Sequence, residues 1–95
     1  MISLEEARQI AHSENEKYKS TLKANIAETI DRRTRENAQM GYYKSKIYLE
    51  TPARLTNYEF EKIIKEVLKE VTNLGYKVEV DMGVRYCLTI NWEED

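Results

Sequence analysis

Little in this sequence interrupts its backbone, and several kinds of chemistry lack the residues they need. Among 95 residues there are three glycines and one proline. The glycines, Gly41, Gly75 and Gly83, stand singly. No glycine-rich loop is present to cradle a phosphate through backbone amides. A single cysteine, Cys87, cannot close an internal disulfide and fits a reducing, cytosolic setting. A single histidine, His12, lies beside Glu14 and Glu16, without the further His or Cys ligands that a metal site needs. No apolar run approaches the roughly 18 residues of a membrane span, so no membrane role is expected. The first residues lack a basic start and an apolar stretch, so a signal peptide is not expected. Charge is nearly balanced, with a formal net charge of −2. That leaves no global basic field of the kind that drives non-specific nucleic-acid binding, which makes nucleic acid the least favoured partner.

What is present points to one small α+β domain, 1–95, with a helical arm over 1–40 and a β-α-β-β core over 41–95. Charged residues make up 34% and hydrophobic residues 41%, enough for a modest core. Ser3-Leu4-Glu5-Glu6 reads as a capping box, with the serine hydroxyl set to accept the third amide of a helix. No proline or glycine follows until Gly41. Leu4, Ala7, Ala11, Tyr18, Leu22, Ile26 and Ile30 recur at helical spacing along one stripe, which thins at residues 12–17. An unbroken helix over 4–40 would be about 55 Å long at 1.5 Å per residue. A compact domain of this length has a diameter of roughly 32 Å. Either the helix breaks near 12–17 and folds back as two shorter helices, or its stripe packs on another chain. The second is the expectation, with Tyr18, Leu22, Ile26 and Ile30 at a homo-oligomer interface.

After Gly41 the period changes to two. Tyr43, Ile47 and Leu49 face one way with Ser45, and Tyr42, Lys44, Lys46 and Tyr48 the other, which predicts a strand ended by Thr51-Pro52. Thr56-Asn57-Tyr58-Glu59 is a second capping box, with Leu55 and Phe60 at the hydrophobic-staple positions. Phe60, Ile63, Ile64, Val67, Leu68, Val71 and Leu74 form one apolar stripe. Glu61 and Lys65 are spaced as an i,i+4 ion pair on the outer face. Gly75 takes the position after the helix end. Two alternating runs follow, 76–82 and 84–92, joined by a tight connection at Asp81-Met82-Gly83. In the favoured arrangement strand 84–92 lies between the other two, antiparallel to both, and helix 56–74 covers the apolar face. The acidic tail Glu93-Glu94-Asp95 is expected to fray.

Catalysis finds no support in these residues. Cys87 has no histidine near it in the chain to serve as a base, and no pair of carboxylates is placed for acid–base work. The expectation is a non-enzymatic chain with no catalytic residue, metal or cofactor. One basic concentration stands out. Arg32, Arg33 and Arg35, with Lys44 and Lys46, face only Glu36 in the stretch 32–46. Arginine's planar fork suits phosphate. Tyr42, Tyr43 and Tyr48 could stack on a base. The candidate ligand site is therefore Arg32, Arg33, Arg35, Tyr42, Tyr43 and Lys44, holding an anionic, nucleotide-like small molecule at the joint between helix and strand. The competing account gives the arginines to the helix C-terminus, where cations offset the dipole. Because Arg32 and Arg33 point about 100° apart, one chain cannot aim all three at one ligand.

Ala38 and Gly41, then Leu74-Gly75-Tyr76-Lys77-Val78, then Ile90-Asn91-Trp92 give the chain a recognisable outline. Over most of residues 38–92 it resembles a class of small phage-encoded α+β accessory proteins, in which a helical arm leads to a strand, a helix, a Leu-Gly-Tyr-x-Val turn and a hairpin ending in Ile-x-Trp. The motifs are architectural. The resemblance implies a virion-associated or accessory role in the cytoplasm of a bacterial host cell. It also implies one of two functions: oligomers that sequester nucleotide signals of bacterial defence, or a long helix that pairs with itself or with a host or virion protein.

Overall fold

The computed structural model describes residues 1–94. It is an α+β fold of five elements: α1 (Leu4–Gln39), β1 (Lys44–Leu49), α2 (Asn57–Asn73), β2 (Lys77–Met82) and β3 (Tyr86–Asn91). The three strands form one antiparallel sheet in the order β1-β3-β2. Pairing sets Ile47, Leu88 and Val80 in one row, and Ser45, Ile90 and Val78 in the next. Tyr86, Leu88 and Ile90 on the central strand are buried, while Cys87, Thr89 and Asn91 between them are half-buried on the other face. That alternation is the period-two pattern of a sheet covered on one side.

Helix α2 supplies most of the cover. Thr56 caps it with both halves of the capping box formed: the Thr56 hydroxyl accepts from the Glu59 amide at 3.1 Å, and the Thr56 amide donates to the Glu59 carboxylate at 3.4 Å. Phe60, Ile63, Ile64, Val67, Leu68 and Val71 are all buried against the sheet. Each such side chain contributes roughly 1.5–3 kcal/mol by leaving water. Leu74, expected at the end of this stripe, is 77% exposed, because α2 ends at Asn73 and the chain turns away at Gly75 (φ 102°).

Helix α1 is continuous over 36 residues, with no break at 12–17. Only its second half meets the body. Ile26 and Ile30 lie in the core at 4% exposure, with Tyr18 and Leu22 half-buried beside it. Of the four residues expected at an interface with another chain, Ile26 and Ile30 are thus covered by their own, and Tyr18 and Leu22 partly so. The stripe from Tyr18 onward fits against α2 and the sheet, leaving Leu4, Ala7, Ile10 and Ala11 outside the core. Residues 4–17 project about 21 Å at 1.5 Å per residue. The molecule therefore measures 60 × 23 × 21 Å with a radius of gyration of 16.4 Å, against about 12 Å for a compact domain of this length. It exposes 7198 Å², where a compact monomer of this mass would expose about 5,700 Å².

Ion pairs stitch the two helices where they meet: Lys19–Glu59 at 3.1 Å, Lys23–Glu70 at 3.2 Å and Lys23–Glu66 at 3.6 Å. The hydrogen bond from Lys19 holds the Glu59 carboxyl below its ordinary range, helped by the Thr56 amide. Three smaller expectations fail. At the start of α1 only the serine half of the capping box forms (Glu6 amide to Ser3 Oγ, 3.1 Å). The hairpin turns through Gly83-Val84-Arg85, since Met82 already pairs with Tyr86, and Val84 is fully exposed at its tip. Glu61 does not pair with Lys65; it accepts a 3.0 Å hydrogen bond from the Tyr86 hydroxyl, whose pKa is raised by burial. Of the acidic tail, the Glu93 amide donates to Asn91 Oδ1 at 2.8 Å, and Asp95 lies outside the described residues.

Candidate functional site

The joint after α1 is built from the helix end outward. Gly41 adopts φ 86°, a left-handed conformation that side chains with a Cβ resist. Its amide donates to Ala38 O at 3.0 Å and the Tyr42 amide to Asn37 O at 2.9 Å. These are the paired bonds of a Schellman ending, which reverses the chain sharply. Asn37 then locks helix to strand: its Nδ2 donates to Arg33 O at 2.9 Å and to Ser45 Oγ at 2.8 Å. Ser45 is, among the described residues, the one polar side chain in the core, 3% exposed, and this bond satisfies it. Tyr43 O accepts from the Trp92 amide at 2.9 Å, extending the pairing of β1 with the end of β3.

This framework leaves an open groove of about 520 Å³ beside β1, an edge strand. Arg33, Lys44 and Lys46 line it, with Tyr42, Tyr43 and Tyr48 around them and Glu93 as its one carboxylate among the described residues. The three tyrosines are 58%, 60% and 63% exposed. Among the described residues none of the three cations takes part in an ion pair. Four of the six residues expected from sequence therefore meet: Arg33, Tyr42, Tyr43 and Lys44. Arg32 and Arg35 do not line the groove. Each is held by an acid one turn away, Arg35 by Asp31 at 2.8 Å and Arg32 by Glu36 at 4.0 Å. Residues two apart on a helix lie on opposing faces, so Arg33 and Arg35 cannot serve one ligand.

The competing account of the arginines is also altered. The last turn of α1 contains no basic residue, so none of them sits where the helix dipole is strongest. Lys46 and Tyr48 join the site because alternation places them on the same sheet face as Lys44. The Asn37–Ser45 lock was not foreseen. Its signal was a lone serine at an inward-facing position of a strand, which must find a partner when buried.

Other reactive residues lie apart. His12 is exposed on the projecting arm, and Cys87 is half-buried opposite Tyr48 and Asp81 on the wet sheet face. Among the described residues no group of three or more His, Cys, Asp or Glu side chains is arranged to hold a metal ion. No helix among them is long and apolar enough to cross a membrane.

By its architecture the chain is a three-stranded antiparallel sheet with two helices on one face, one of them far longer than the body. No protein-family model, curated protein or solved structure matches it.

Proposed function

We propose that this chain is a non-enzymatic, homo-oligomeric binding module that holds an anionic, nucleotide-like small molecule in the groove beside β1. The observation that carries this reading is the convergence of Arg33, Lys44 and Lys46, all without ion pairs among the described residues, with three exposed tyrosines. Arginine grips a phosphate bidentately and the lysines add point charge. A tyrosine face accepts a base of any sequence. The resemblance to phage-encoded accessory proteins supports a bacterial defence signal as the ligand and the host cytoplasm as the place. Thermal melts against a panel of mono-, di- and cyclic nucleotides and ADP-ribose test the reading. One member should raise the melting temperature of the wild type, and Arg33→Ala or Lys44→Ala should abolish the shift. No shift with any member sinks the proposal.

A second reading rests on a different observation, the projection of residues 4–17 beyond the body. Here the chain is an interaction or structural accessory protein whose arm joins it to a second copy or to a host or virion protein. Leu4 and Ile10, 69% and 55% exposed on that arm, would be the contact. Light scattering on Leu4→Glu with Ile10→Glu tests it: an oligomer that falls to monomer supports the reading, and a wild type already monomeric at high concentration opposes self-association.

A further inference from the structure

The sheet has two edges, β1 and β2, and the one at β1 has room for another strand. Three strands at a spacing of about 4.8 Å span about 14 Å, whereas two helices packed side by side cover about 18 Å. Both helices lie on the same face, so the helix layer is wider than the sheet by about one strand. On the β1 side α1 takes up the difference. Its Arg33 and Asn37 line the groove together with Lys44, Ser45, Lys46 and Tyr48 of the edge strand. Ser45 is buried on the inward face of β1, and Lys44, Lys46 and Tyr48 are exposed on the wet face. A groove lined from both faces runs along the outer edge of the strand.

The floor of this groove is backbone. The Trp92 amide donates to Tyr43 O, so Tyr43 and Trp92 are a hydrogen-bonded pair of the ladder. Such pairs alternate with unbonded ones along an antiparallel ladder. The register runs without interruption from Lys44–Asn91 to Leu49–Tyr86. The backbone of Ser45, Ile47 and Leu49 therefore bonds β3, and the amides and carbonyls of Lys44, Lys46 and Tyr48 point outward. Such a row on an edge is a template for a further strand. The Lys44 and Lys46 side chains stand about 6.7 Å apart along the strand, on one face. Among the described residues neither takes part in an ion pair. Edge lysines repel a basic strand and admit an acidic one. Glu93 follows β3 past the Lys44–Asn91 pair, at the end of the row.

We infer that the β1 edge takes an extended, acidic segment of a partner protein as a fourth strand of the sheet. Main-chain bonds to Lys44, Lys46 and Tyr48 supply the affinity. Carboxylates at alternate positions of the segment meet Lys44 and Lys46 across the new pairing. The inference rests on the same cations as the nucleotide reading and goes beyond it in using the backbone floor. A strand and a nucleotide exclude one another there.

The test is amide hydrogen exchange at Lys44, Lys46 and Tyr48, read by NMR on the full chain with three probes. The capped peptide Thr-Glu-Val-Glu-Thr carries its carboxylates two residues apart. Its isomer Thr-Val-Glu-Glu-Thr has the same charge but sends adjacent carboxylates to opposite faces. The third probe is ADP-ribose. The alternating peptide should slow exchange at all three amides by about tenfold or more at saturation. It should bind about threefold more tightly than its isomer, the factor one exposed cross-strand ion pair provides. ADP-ribose, held by side chains, should leave the three rates unchanged. Lys46→Gln should erase the preference between the peptides, while the slowing at saturation persists. The inference is overturned if neither peptide binds, if the isomers bind alike, or if saturation leaves the amides exchanging as in the free chain. It is also overturned if the amides slow with protein concentration alone, which would put an edge of a second copy in the groove. Nucleotide binding without peptide binding would leave the nucleotide reading standing and this one fallen. Peptide binding with slowed amides and no nucleotide shift would do the reverse.

Discussion

One helix, α1, behaves as two different objects along its length. From Tyr18 to Asn37 it is part of the body: Ile26 and Ile30 are buried, Lys19 and Lys23 are paired with α2, and Asn37 is bonded to β1. From Leu4 to Lys17 it touches none of the core. The backbone is equally helical in both halves. Local propensity and a capping serine suffice to define a helix, and only apolar spacing that finds a partner decides whether it is covered. The candidate groove lies at the packed end, about 33 Å along the helix from Ala11 in the middle of the free end, so a contact between arms would not reach it.

The largest expected effects would expose this asymmetry directly. Ile26→Ala and Ile30→Ala should each lose about 2–5 kcal/mol of unfolding free energy in urea titrations. Leu4→Ala and Ile10→Ala, the same kind of truncation on the free half, should stay within about 0.5 kcal/mol of the wild type. Equal losses from both halves would break the comparison and imply a covered arm. Next comes Thr34→Val, which removes a buried hydroxyl with no hydrogen-bond partner among the described residues and should stabilise the chain by on the order of 1 kcal/mol. Thr29→Val, which removes a bonded hydroxyl, should not.

The smallest effect is in pH dependence. Glu59 is held below its ordinary pKa by the hydrogen bond from Lys19, so its contribution is present above the usual carboxylate range and is lost as pH falls through its lowered folded value. Lys19 is held above its ordinary pKa by the same bond, so its contribution is present below about pH 10.4 and is lost as pH rises through its raised value. Unfolding midpoints of Glu59→Gln should therefore depend less on pH at the acid end than those of the wild type. A pair this exposed contributes modestly, and added salt should narrow the difference.

The sheet order, the placing of α2 and the end of α1 at Gly41 were legible because each had two independent signals, a periodic apolar pattern and a capping or glycine boundary. The path of α1 was half legible. Its stripe read the same from Tyr18 to Ile30 whether covered by its own chain or by another, and no local residue distinguishes the two. At the site, alternation placed Lys44, Lys46 and Tyr48 together, and the rotation between Arg32 and Arg33 already warned that not every arginine could take part. Their ion pairs with Glu36 and Asp31 decided which one was left over. The Tyr86–Glu61 bond joins residues on separate elements and sequence spacing carries no record of it, while the inward-facing Ser45 signalled that a partner was needed but not that Asn37, across the joint, would supply it.

Isothermal titration of the nucleotide that gives the largest thermal shift, run on the wild type, Arg33→Ala and Arg35→Ala side by side, tests the central claim most directly. Arg33 lines the groove without an ion pair among the described residues, and Arg35 is bound to Asp31 away from it. The wild type and Arg35→Ala should bind alike, while Arg33→Ala should lose binding at least tenfold, the result of removing a charge-assisted contact of about 1.5–3 kcal/mol. Equal loss in both variants, or unchanged binding in Arg33→Ala, would contradict the assignment of the groove.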